Sequence, residues 1–196
     1  MRIAVLIAAS LFATACNERA ADADRDADAA DMAQNDAAGA FADQAPTALG
    51  FAETVAMSDM YEVTAGNIAL KRGESGSVRE FAQMMVADHT KSAKALKDAI
   101  GGAGQDFSMP ANLDTEHQAQ IDVLQSLQGA AFDREYMSQQ MAAHSKALAL
   151  LKAYGGEGDD AELRQFAQST IPVVQKHHDW LQSNASDAAT AQTPAP

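Results

Sequence analysis

The chain contains one cysteine, Cys16, so no intramolecular disulfide can form. Basic side chains are scarce, with 14 Lys and Arg against 27 Asp and Glu, and the net charge of -13 argues against nucleic acid or anionic lipid as a partner while permitting cations. Glycine and proline gather in a few places only and no strand-like alternation occurs, which disfavours a β fold. There is no Gly-x-Ser-x-Gly elbow, no cysteine nucleophile and no phosphate-binding glycine loop, so nucleophilic catalysis and nucleotide chemistry lack their usual apparatus. The apolar run at the start, Ile3 to Phe12, is too short to span a bilayer.

What that run does offer is a signal peptide over residues 1–15. Arg2 supplies the positive end, and the apolar stretch closes in small residues. Phe12-Ala13-Thr14-Ala15-Cys16 resembles the bacterial lipobox, in which small residues precede a cysteine that is diacylated and becomes the new N-terminus; Ala13 stands where Leu is usual. Lipidation of Cys16 would anchor the protein stably, because two acyl chains suffice where one does not. Asn17 follows, where the sorting rule known from enteric bacteria requires Asp for inner-membrane retention, so an outer-membrane lipoprotein facing the periplasm is expected. The alternative is a soluble periplasmic protein cut after Ala15. Residues 17–46 are rich in Ala and Asp and almost free of large apolar side chains, which predicts a disordered, self-repelling acidic spacer. Residues 184–196 read as a second low-complexity tail.

Residues 47–183 are enough for one domain with a real core. Ala, Leu, Gln, Lys, Glu and Met dominate, and the apolar positions recur at three- and four-residue steps. Helices are predicted from about Ala48 to Lys71, from a Ser77-x-x-Glu80 capping box to Gly101-Gly102, after Asp114 or Thr115, through Phe132 to Leu151 with closure at Gly155-Gly156, and after Asp159 or Asp160. Gly129 should break or bend one helix and Pro172 should kink the last, whose inner face is read as Leu163, Phe166, Val173, Val174 and Leu181. The fold class is all-α, an antiparallel four-helix bundle.

Several polar residues interrupt the apolar stripes. His89 continues the stripe of Met85 and Leu96; His144 lies between Met141 and Leu148, and His177 between Val173 and Leu181. His117 and His178 are expected in solvent. Glu62 shares the small-residue side of the first helix, and Asp133 lies eleven residues, about three turns, before His144 on the same face. Glu62, His89, Asp133, His144 and His177 could therefore hold a divalent transition metal: iron, manganese, zinc or copper. The same residues could instead satisfy one another as a polar core network. Met141 and Val174 stand three residues before His144 and His177, so the paired Glu-x-x-His of di-iron bundles is missing. Met57, Met60, Met84, Met85, Met137 and Met141 could join histidine in binding Cu(I), or simply fill the core.

Tyr61-Glu62-Val63 with Gly66 and Ala69, Val78-Arg79-Glu80-Phe81-Ala82 leading to Met85 and Asp88-His89, Phe132-Asp133 with Tyr136, Met141 and His144, and Ile171-Pro172 before His177 together resemble the exported bacterial family of domain of unknown function 4142. That resemblance spans roughly Phe51 to Leu181. It implies a ferritin-like four-helix fold and export, and its histidine after the proline corresponds to His177. It brings no established activity. The expected function is a non-catalytic, lipid-anchored envelope module that binds a metal or a protein partner, in a stress response for instance; the alternative is a metal-dependent oxidoreductase or metal-storage protein built on the inward cluster.

Overall fold

The computed structural model describes residues 46–104 and 107–190, with side chains to Asn184. The expected signal peptide, Cys16 and nearly all of the acidic spacer lie outside the described residues, as does the end of the tail. Five helices are described: α1 Ala48–Arg72, α2 Gly76–Ala103, α3 Thr115–Ser126, α4 Gly129–Glu157 and α5 Ala161–Thr190.

Four of the five described helices start at a side-chain cap. The Thr47 hydroxyl accepts from the Gly50 amide, the Asp114 carboxylate from His117 N and the Asp160 carboxylate from Leu163 N, each satisfying a donor that the first turn leaves free. Helix α2 begins earlier than its sequence suggests. Ser75, not Ser77, is the cap, in extended backbone with Oγ accepting from Val78 N at 3.2 Å. Gly101 and Gly102 stay helical, and α2 ends at Gly104, whose φ of 67° is the left-handed conformation that glycine tolerates best. Likewise Gly155 and Gly156 lie inside α4, which closes at Gly158. The break expected near Gly129 is present: Leu127 and Gln128 are extended, and Gly129 opens α4 with φ 60°. Pro172 lies within α5, which continues to Thr190, past the boundary expected at Ser183.

Three-residue turns fold α1 back on α2 and α4 back on α5, and the two hairpins close through α2 on α5 and α1 on α4. Side-chain partners fix the directions. Phe51 near the start of α1 stacks on Tyr154 near the end of α4, and Phe81 near the start of α2 stacks on Trp180 late in α5. Every adjacent pair is thus antiparallel, while short α3 lies against α1 and α4.

The core is apolar at both ends. One cluster holds Phe51, Val55, Leu96, Leu148, Tyr154 and Phe166; the other holds Tyr61, Phe81, Met85, Leu124, Tyr136 and Leu181. Between Val55 and Tyr61, between Met85 and Leu96, between Tyr136 and Leu148 and between Val174 and Leu181, all four long helices pass from one cluster to the other. In those stretches lie the buried polar residues Asp59, His89, Gln140, His144 and His177, with Glu62 beside Tyr61. Val173, read from its spacing as an inner residue, is 39% exposed, because Val174 takes the inward position.

Candidate metal centre

The polar layer contains three buried imidazoles, one from each of α2, α4 and α5. His89, His144 and His177 each present a ring nitrogen, and those atoms all lie within 4.8 Å of one another. Ring centroids are 5.4 to 5.8 Å apart. One nitrogen of each ring is held by a neighbour. His89 Nδ1 is 2.8 Å from Asp59 Oδ1, His144 Nδ1 is 2.9 Å from the Gln140 carbonyl oxygen, and His177 Nε2 is 3.2 Å from Asp88 Oδ2. Phe81 packs against His144 and His177 and leaves those rings little freedom to turn away.

The other nitrogen of each ring, His89 Nε2, His144 Nε2 and His177 Nδ1, has no hydrogen-bond partner, and neither do Asp59 Oδ2, Glu62 Oε2, Tyr136 OH, both side-chain polar atoms of Gln140 and His178 Nδ1. Buried polar atoms are usually paired, so each of these ring nitrogens is free for a further partner. Because the Gln140 carbonyl can only accept, His144 Nδ1 carries the proton and Nε2 offers a lone pair. Burial together with charge on His89 pushes His144 down to about 3, and burial pushes His177 down to about 4, so both are neutral donors at pH 7. Burial acts the same way on His89, but its hydrogen bond to Asp59 and the nearby Glu62 and Asp88 charges outweigh it and hold that ring above the ordinary imidazole value. Three imidazoles, each oriented by a carboxylate or a backbone carbonyl through its second nitrogen, are the donor set of a borderline transition metal. Bonds of about 2.1 Å in a tetrahedron place the nitrogens about 3.4 Å apart, so metal would draw the rings together by at most roughly 1.4 Å.

The two expected carboxylates fare differently. Glu62 is fully buried in the layer, with Oε1 3.9 Å from His144 Nδ1 and Oε2 unpartnered, and burial raises its carboxyl above the usual carboxylate value against the pull of His89. Asp133 stands elsewhere. Its two oxygens accept from Glu74 N at 2.9 Å and Ser75 N at 2.8 Å, tying α4 to the α1–α2 turn. A shared helical face does not mean a shared level, for eleven residues separate Asp133 from His144 by about 16 Å along the axis. Asp133→Ala should therefore destabilise the protein by about 2–4 kcal/mol by orphaning two amides, and leave metal affinity unchanged; urea unfolding and metal titration of the same variant check both halves.

Asp59, Asp88 and Gln140 are also parts of the site, and spacing alone could have found Asp59 and Gln140. Asp59 follows Val55 by four and precedes Glu62 by three, and Gln140 precedes His144 by one turn. Asp88 adjoins His89 and reaches α5, where His177 and Lys91 together hold its carboxyl below its usual value against the effect of partial burial. His117 and His178 stay outside the group, but both are half-buried rather than solvated; His117 pairs with Asp114 and packs on Tyr61. The methionines do core work: Met85 is buried, and Met84, Met137 and Met141 pack beside it.

The family profile described as domain of unknown function (DUF4142) matches residues 15–183. The chain belongs to the DUF4142 family. No curated protein matches it. A crystal structure of a DUF305 fragment from Deinococcus radiodurans is similar in fold, with a TM-score of 0.59 at 15% identity over 70% of this chain and 94% of that one. The helical bundle is thus shared with a solved domain, whereas the three-histidine layer of this DUF4142 domain is read from its own geometry.

Proposed function

We propose that this DUF4142 domain binds one divalent transition-metal ion through His89, His144 and His177, and presents it in the cell envelope from a lipid anchor at Cys16. The convergence of three buried imidazoles, each with one unpartnered ring nitrogen, carries the reading. Three neutral nitrogen donors suit zinc or copper best, with iron and manganese as weaker occupants. Asp59, engaged with His89, and Glu62, 3.9 Å from His144 Nδ1, neighbour the ion without belonging to the converging set. Among the described residues only the three-histidine group converges, so holding or handing over metal fits better than di-iron oxidation.

Metal must displace the proton that Asp59, Glu62 and Asp88 keep on His89. Affinity should therefore fall as pH drops through the raised His89 value, by about tenfold per unit, with one proton released per ion. Calorimetric titration with zinc and copper in buffers of different ionisation enthalpy measures that proton. Affinity independent of pH between 5 and 8 would contradict His89 as a ligand. The anchor has its own check: Cys16→Ser should lose incorporation of a clickable fatty acid and membrane fractionation while the far-UV helical signal persists, and acylation that survives the substitution overturns it.

A further inference from the structure

A cavity of about 350 Å³ adjoins the histidines. His89, His177 and Asp59 line its buried end, the walls include Val55, Leu150, Leu151 and Val174, and exposed Thr54, Glu116, Lys146 and Val173 stand at its rim. Its size falls at the lower end of the roughly 300–1,000 Å³ common for small-molecule sites. Two further features bear on an occupant. Three histidines leave at least one coordination position of a tetrahedral ion open, as in sites that bind an exogenous ligand. Asp59 Oδ2, on the lining, is a buried acceptor with no partner, since only Oδ1 is engaged with His89.

We infer that the cavity takes a small amphiphile whose head gives a lone pair to the histidine-bound ion and donates an O–H or N–H to Asp59 Oδ2, with a short apolar tail among Leu150, Leu151 and Val174. The inference rests on the metal reading above. Val55, Leu150, Leu151 and Val174 offer an aliphatic side for a short tail, whereas Asp59, Asp88, His89, Ser92 and His177 gather polar groups beside it, so an occupant with a polar head and an apolar tail matches the lining. A head that only donates would leave the ion's open position to water, and a head that only coordinates would leave Asp59 Oδ2 orphaned, so both properties are required together.

Aliphatic hydroxamic acids, with both a metal-binding oxygen and an N–H, are suitable probes. Full-length protein loaded with Co(II) is titrated with the series from two to ten carbons, following the visible spectrum of the ion and, in parallel, calorimetric affinity. Affinity should rise about fourfold per added methylene until the cavity is full and then level or fall. Val173→Trp at the rim and Ala147→Phe in the wall should each flatten that rise while leaving Co(II) affinity unchanged; the rim variant lies outside the core and keeps the test open should the wall variant fold poorly. Equal affinity for all chain lengths, equal affinity in metal-free protein, or removal of the ion by the probe overturns the inference. A protein that takes up no metal fails the metal reading before any hydroxamate is added, whereas one that binds Co(II) without chain-length dependence retains that reading and loses this one.

Discussion

Zinc or copper at a free concentration one hundred times the dissociation constant should stabilise the protein by about 2.7 kcal/mol and raise its melting temperature by on the order of 10 °C. The shift should disappear in each of His89→Gln, His144→Gln and His177→Gln, because a three-ligand site loses a third of its protein donors with any one of them. His117→Gln and His178→Gln should keep it. In the metal-free state the three inward variants should be destabilised by about 1–3 kcal/mol through the groups they strand, Asp59 Oδ1, the Gln140 carbonyl and Asp88 Oδ2. The core-network alternative predicts that same metal-free loss but no shift with any ion. Differential scanning calorimetry of six proteins with and without metal separates the two.

Phe81→Ala should cost about 3–5 kcal/mol, among the largest effects of any single substitution in the bundle. Phe81 is fully buried, stacks on Trp180 with centroids 4.6 Å apart, and touches His144, His177 and Tyr136. Its removal opens a cavity directly under two proposed ligands, so metal affinity should fall as well, and the emission of Trp180, the single tryptophan of the chain, should shift to the red. Leu96→Ala, in the apolar cluster at the opposite end, should cost about 2–5 kcal/mol with metal affinity retained. Unfolding in urea with metal titration beside it measures both. Equal loss of affinity in the two variants would mean that affinity follows overall stability and not the support that Phe81 gives the rings.

The contrast between Phe81 and Asp133 shows what the amino-acid order makes legible. Spacing determines the face of a helix on which a residue lies, and it puts His89, His144 and His177 inward, where all three are buried, although Val173, four residues before His177, faces out. Spacing says nothing of level along the bundle. Level depends on how far each helix is slid against its neighbours, which the turns at Gly73–Ser75 and Gly158–Asp160 and the stacks of Phe51 on Tyr154 and Phe81 on Trp180 decide. Asp133 therefore shares a helical face with His144 yet caps a turn in the structure, while Asp88, beside His89 in sequence, reaches across to α5. Helix ends were blurred for a different reason. Glycine pairs at 101–102 and 155–156 are tolerated inside helices whose faces are packed, and the stops fall at Gly104 and Gly158.

X-ray absorption at the edge of the bound ion tests the central claim most directly. Zinc-loaded protein should show about three nitrogen scatterers at roughly 2.0–2.1 Å with the outer-shell pattern of three imidazole rings, and one further light ligand in the open position. His144→Gln should reduce the imidazole count or abolish the signal. An all-oxygen shell, or a spectrum with no imidazole pattern, would place the ion on surface carboxylates and contradict the three-histidine centre.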